Sequence, residues 1–554
     1  MGRMLLSLVI AACWVCMSAV SGHAEDTSEL IAQLRSSDEA VRLHAIDVLG
    51  EQCWAPPEVL RALGGELKSR SAVVRAHAAH AMGHLAAGAR PAVAALAPLL
   101  HDPDPKVRRM AIRAWGRIRP NPAVSVPLLA NVLKDPDASI RTEALNILTD
   151  IGQPAVPTLT RLLGRNDVTY WCCVALGEMG ADAADAAPAL VEVLNNDPRP
   201  EVRREAALAL GAIGAAAPVS VPGLIEALDN KNPTVLAGAA YALGRIGPKA
   251  TAAESPLVKC AANADPLVKT VCAWALAKID PENDARKRAA IAQLAVALKS
   301  NQPSLRNAAL FGLADLKPAS GAVLPAMSEA LHDPDKSVAG AALYAVAALG
   351  DPAIPALTDA LKRKELRPDA ARILAQMGSR AKGAAPALVE IVRTDQDGHS
   401  QSEALMALGS TDADPKVVVP AAIEALHSRR EDVCSAACFA LGRMGKPALA
   451  AVPELEKRLG DRDECGAMAA WALVRIAPDS PEVAHRLVPL FVKALNQCEP
   501  TVRIEAAASL ARMGPLAKDA IPALRRVSAD NDKRVHAAAL AALSAVNTPL
   551  IGRK

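Results

Sequence analysis

Four histidines near the start of the chain have types and spacing that could do chemistry. His77, His80 and His84 fall three and four residues apart, so on a helix they share one face. His44 takes the matching place 33 residues earlier. Imidazoles gathered in this way could hold Zn²⁺ or another borderline metal. No carboxylate or thiol joins them at a ligand spacing, so the expectation is four solvated side chains, with no metal and no cofactor. The aromatics are the second set. Tyr241, Trp274, Phe311, Tyr344, Phe439 and Trp471 recur at near-regular intervals, and four have a cation one helical turn later: Arg245, Lys278, Arg443 and Arg475. That i,i+4 spacing brings a cation beside a ring, and exposed aromatics with arginine are common in binding hot spots. Catalytic signatures are missing from the sequence. There is no phosphate-binding glycine loop, no His-Glu-x-x-His helix and no nucleophile elbow.

These side chains must be carried by repeated elements, because the chain itself repeats. A clear copy runs Val202-Arg203-Arg204-Glu205-Ala206-Ala207-Leu208-Ala209-Leu210-Gly211-Ala212-Ile213-Gly214, and its Val place returns some sixteen times from Val41 to Val535 at about 33-residue intervals. A period of this length predicts a solenoid, in which each repeat is too small to bury its own apolar face and shares a core with its neighbours. Within one repeat, Pro188 predicts the first turn of a first helix, Asn195 to Pro198 an inner turn, and Glu201 to Ile213 a second helix closed by Gly214. Pro127, Pro157, Pro222, Pro256, Pro325, Pro355, Pro386, Pro420, Pro453, Pro489 and Pro522 take the same first-turn place as Pro188. On the second helix the Val place and positions 4, 7, 8 and 11 beyond it face the core. Positions 2, 3, 6 and 10 face away, toward the concave side. All six aromatics occupy position 6, so they are expected as a stripe along the groove, with neither tryptophan in the core.

The string Val-Arg-x-x-Ala-Ala-x-Ala-Leu-Gly-x-Ile-Gly after a proline-bearing helix resembles HEAT repeats of the phycobilisome-lyase-like type, over about residues 26–547. The resemblance implies an all-α, right-handed α-solenoid of about sixteen two-helix repeats. It also implies an armadillo-like architecture in which Asp102 with Arg108, Asp135 with Arg141, and Asp197 with Arg203 form a ladder stitching neighbouring repeats. His101, His332 and His427 end first helices and are expected to cap them. One catalytic relative, the deoxyhypusine hydroxylase type, uses paired His-Glu motifs, and this chain has no His-Glu dipeptide. The lyase type implies the alternative function, an enzyme or accessory factor acting on a bilin or similar anionic cofactor.

Spacings between Val places run 28, 34, 33, 33, 37 and 33 from Ile140, then 28, 34, 33, 32, 37 and 33 from Val338. A six-repeat block is therefore expected twice, at roughly 124–320 and 321–518. Ala273-Trp274-Ala275-Leu276 returns as Ala470-Trp471-Ala472-Leu473, which predicts two similar aromatic patches.

Of 554 residues, 51% are hydrophobic and only 2% aromatic, which suits Ala- and Leu-rich helices. The 62 basic residues nearly balance the 59 acidic ones, which argues against nucleic acid. Arg3, the apolar run from Met4 to Val20 and Gly22-His23-Ala24 read as a secretory signal over residues 1–24, followed by a continuous solenoid over 25–554. The mature chain is then expected outside the cytoplasm, periplasmic or extracellular, with no integral membrane span. Apolar sequence running on past Cys13 argues against lipid anchoring there. Eleven cysteines less Cys13 and Cys16 leave nine, irregularly spaced. They do not read as a disulfide framework, and Cys172, Cys173, Cys272 and Cys438 stand where the repeat has alanine. The expected function is a non-catalytic scaffold or adaptor that binds a protein or peptide in the concave groove.

Overall fold

The computed structural model describes residues 27–51, 56–165, 168–216, 218–317, 320–459, 464–496, 500–530 and 532–548. The secretory signal expected over 1–24 lies outside these residues, as do Cys53 and Cys498. Every regular element among the described residues is an α- or 3-10 helix. The architecture is the expected all-α, right-handed solenoid of two-helix repeats. The second helices, numbered here by repeat, are α1 (Glu39–Gly50), α2 (Ala72–His84), α3 (Pro105–Ile118), α4 (Ala138–Ile151), α5 (Thr169–Met179), α6 (Pro200–Ile213), α7 (Pro233–Ile246), α8 (Pro266–Ile279), α9 (Pro303–Leu316), α10 (Lys336–Ala347), α11 (Arg367–Met377), α12 (Gly398–Ser410), α13 (Glu431–Met444), α14 (Glu464–Ile476), α15 (Pro500–Met513) and α16 (Lys533–Asn547). Contacts divide the chain at Pro318–Ala319 into two compact bodies, one carrying α1–α9 and the other α10–α16. No described helix is long and apolar enough to cross a membrane.

Local sequence explains each second helix. Asp104 accepts the Lys106 amide, Asp137 the Ser139 amide and Asp265 the Leu267 amide, which caps the free N–H groups of α3, α4 and α8. Pro105 and Pro266 follow directly, where a missing N–H costs nothing. At the other end Gly214 takes φ 65°, a conformation that side chains disfavour, and terminates α6. Val202, Ala206, Ala209, Leu210 and Ile213 of α6 are all buried, as the periodicity requires.

Two details of the first helices differ from the sequence reading. Pro127, Pro325, Pro420 and Pro489 lie inside their helices, which begin a turn or more earlier. For three of these, Asn121, Asp414 and Ser480 supply an upstream N-cap, so the proline deletes an interior hydrogen bond instead of a spare one. In addition, 3-10 segments such as Gly180–Ala186, Gly247–Ala253 and Gly514–Ala520 join one repeat to the next.

Second helices stack closely through small residues. A Cβ added at Gly211 would come 2.7 Å from Ala242 Cα on α7, and one at Gly83 would come 2.9 Å from Ala114 Cα on α3. Charged pairs also run from repeat to repeat, in a register the spacing did not reveal. Asp102 does not take Arg108. Its carboxylate accepts two bonds from Arg75 of the preceding repeat, at 2.8 and 2.9 Å. Arg108 instead pairs forward with Asp135 at 2.7 and 3.1 Å, while its Nη1 donates to the Asp102 carbonyl. Arg141 likewise bonds the Asp135 carbonyl, and Arg367–Asp395 and Arg503–Asp530 repeat the forward pairing. Asp197 has no such arginine behind it, because Thr169 fills that place, and it pairs with Arg199. Fork-to-carboxylate geometry with half-shielded partners makes these bonds more than ordinary surface pairs.

Cysteine usage is also corrected. Cys434 of α13 and Cys465 of α14 form a disulfide across adjacent repeats, with Cα atoms 5.6 Å apart. Cys172, Cys173, Cys260, Cys272 and Cys438 lie outside that disulfide and are buried, as a small apolar residue would be.

Candidate functional site

Five of the six aromatics fall into two sets of neighbouring rings, one on each body, and Tyr344 joins neither. On the N-terminal body, Tyr241 of α7 stacks on Trp274 of α8 with centroids 5.2 Å apart and planes 15° off parallel. Phe311 of α9 stands 6.2 Å from Tyr241, tilted by 52°. On the C-terminal body, Phe439 of α13 stacks on Trp471 of α14 at 5.8 Å and 15°. Position 6 of consecutive second helices therefore places rings in contact, as the period dictates.

The two stacks are not equivalent. Trp274 was expected to be open, but its ring is 3% exposed. Two glycines make room for it: Gly244 of α7 lies against the ring edge, and Gly312 of α9 flanks it. Its Nε1–H donates to Asp315 at 3.0 Å, and Lys278 Nζ bonds the same carboxylate oxygen at 3.0 Å. Aromatic ring, cation and carboxylate thus form a closed cluster. Arg245, the remaining cation of this set, is exposed.

Trp471 is half-buried, rests on Gly442, and makes no indole hydrogen bond among the described residues. Arg475 lies over its face, the guanidinium carbon 3.8 Å from the ring centroid, a close cation–π contact. Burial, then the neighbouring Arg512 and Arg443 charges, push the Arg475 guanidinium down to about 10, against the partial support of Glu505. Among the described residues its acidic partner is Glu505, 3.8 Å away. Arg443 is exposed and donates to the Gly409 carbonyl at 3.2 Å.

Phe311 is 53% exposed and Tyr344 of α10 is 50% exposed. The Tyr344 hydroxyl accepts from Arg372 at 3.0 Å and lies 3.4 Å from Asp369, both on α11. Sequence reasoning missed Asp315, Arg512 and Glu505, although Asp315 and Arg512 occupy the same position 10 that flagged Arg245, Lys278, Arg443 and Arg475. It also missed Trp171 of α5, over which Arg141 stands at 5.0 Å.

The histidines pair off. His77 Nδ1 lies 2.9 Å from Asp47, and the Nε2 atoms of His80 and His84 face each other at 3.0 Å. His44 has its own interaction and does not complete a three-ligand group with them. Burial, then His80 and Arg117, hold His84 down to about 4. Among the described residues, three ligand atoms converge only at the sulfurs of Cys434, Cys438 and Cys465, two of which form the disulfide. His427, expected as a cap, has Nδ1 3.2 Å from the Ile423 carbonyl.

No curated protein matches the chain. Among solved structures, a Kap121p mutant resembles it with a TM-score of 0.51 and 12% identity, over 96% of this chain and 76% of that one. Importin beta gives 0.49 and 12% over 96% of this chain and 80% of that one. Identity this low speaks to fold alone. The family model for HEAT repeats matches residues 27–102, 93–171, 166–231, 221–295, 291–368 and 488–550. That covers most of the chain, which belongs to the HEAT-repeat proteins.

Proposed function

We propose that the protein is an exported, non-catalytic scaffold or adaptor whose second-helix face binds a protein or peptide partner. The observation that carries the reading is the exposure of large rings at one repeated helical position. Phe311 and Tyr344 are each about half exposed, in a chain whose aromatic content is 2%. Rings with arginine beside them gain from desolvation by a partner. The close stacking of second helices through glycine supports placing this face on the inner side of a curved array, where helices stand nearest one another. The repeat wording of α6 supports the phycobilisome-lyase-like subtype. Export rests on Arg3 and the apolar run behind it.

The test is affinity capture from envelope and secreted fractions, with wild type and with the Phe311→Ala/Tyr344→Ala double variant. A specific protein retained by wild type and lost by the variant, with circular dichroism unchanged, is the expected result. Equal capture by both would contradict the binding face, and an intact Met1 terminus on the recovered chain would contradict export.

A further inference from the structure

The two aromatic patches sit at matching places of the six-repeat duplication, and they differ at one position that decides their charge. Asp315 of α9 and Arg512 of α15 are counterparts, each ten residues beyond the Val place of its repeat. In the first patch Asp315 binds both Trp274 and Lys278, so ring and cation are already satisfied within the chain. In the second patch the carboxylate is replaced by a third guanidinium. Arg443, Arg475 and Arg512 then lie at the same position of three consecutive helices, α13, α14 and α15. Glu505 faces them and stands 3.8 Å from Arg475, and the nearby Lys446 is already paired with Asp479 at 3.3 Å. Arg512 is exposed and makes no ion pair among the described residues. Three cations against one carboxylate leave an excess of positive charge, part of it shielded from water by the Phe439–Trp471 stack. A half-buried guanidinium without a matched anion is costly, and an incoming carboxylate offsets that cost.

We infer that the α13–α15 face takes an acidic peptide segment of the partner, while the matching α7–α9 face is closed by its own Asp315. Side-chain carboxylates of the segment would meet Arg443, Arg475 and Arg512, and the Trp471 indole N–H would donate to the same segment. This rests on the second-helix face being a binding face, and it names the chemistry of what binds there. The duplication then yields one acidic-peptide site per chain, not the two similar sites that the sequence alone suggests.

The experiment titrates the full chain with fluorescein-labelled oligoglutamate, and with oligoglutamine and oligolysine of equal length as controls. Wild type is expected to bind oligoglutamate alone, at one site, with affinity falling as salt rises. Arg512→Asp, which installs the carboxylate of the first patch, is expected to weaken binding about tenfold or more, as loss of a charge-assisted pair does. Asp315→Arg, which opens the first patch, is expected to raise the stoichiometry from one site to two. Equal affinity of wild type and Arg512→Asp, equal binding of oligoglutamine, or no binding of oligoglutamate would each overturn the inference. So would unchanged stoichiometry in a normally melting Asp315→Arg variant. Binding of oligoglutamine would leave the face as a peptide site of different chemistry, and the Phe311/Tyr344 capture comparison decides that broader reading separately.

Discussion

Trp274 and Trp471 share a repeat position, yet removing them should have different consequences. Trp274 is enclosed by Gly244, Gly312 and Asp315, so Trp274→Ala leaves a cavity and removes one of the two partners of Asp315, with Lys278 the one that remains. Its expected cost is about 3–5 kcal/mol, against about 1–2 kcal/mol for the half-buried Trp471→Ala, read from urea unfolding. Equal losses would contradict the closed and open patches. Ring contact between neighbouring repeats was legible from the position-6 aromatics. What closes one patch was not, because Gly312 and Asp315 lie one repeat away from Trp274 and become its neighbours only on stacking. His84 makes a second prediction. Its free imidazole titrates near 6.5 and its folded one near 4, so the unfolded chain takes up the proton first as pH falls. Its contribution to stability is intact above about 6.5 and is lost progressively from there down to about 4. His84→Gln should flatten the fall in unfolding midpoint over that window, and an unchanged slope would contradict the assignment.

At the scale of elements, α13 and α14 are held by a bond that no other described pair of second helices has. Cys465 occupies the Val place of its repeat, and Val268 fills the matching place in the first block, so Cys465→Val keeps the packing and removes only the disulfide. The chain-entropy model gives a loss of about 2–4 kcal/mol for a loop of this size. Reductant should lower the wild-type unfolding midpoint to that of the variant, and an effect on the variant itself would contradict the account. The helices were legible almost throughout, because Val, Ala and Leu fall on a 3.6-residue period and glycine closes several of them, as Gly152, Gly214 and Gly445 do. The disulfide and the forward Arg75–Asp102 register were not, since both depend on which faces of successive repeats come together. Proline gave partial information: Pro188 marks a first turn, whereas Pro420 lies inside a helix whose start is set by Asp414 upstream.

At the scale of the whole molecule, a chain of repeats that bury their surfaces against neighbours should lose stability locally. Leu210 is fully buried in α6, and Leu210→Ala should cost about 2–5 kcal/mol. Hydrogen exchange should quicken first in α5–α7, and uniform quickening across both bodies would contradict stacking as the source of stability. The central claim is that the second-helix face of this array engages a partner. Site-specific photo-crosslinking in the native host tests it most directly. A benzophenone side chain would be placed at Phe311 or Tyr344 on second helices, and at Val258 or Val296, which are at least as exposed on first helices. The account predicts discrete protein adducts from Phe311 and Tyr344 and none of those adducts from Val258 and Val296. The same adducts from both faces, or none from the ring positions, would contradict it.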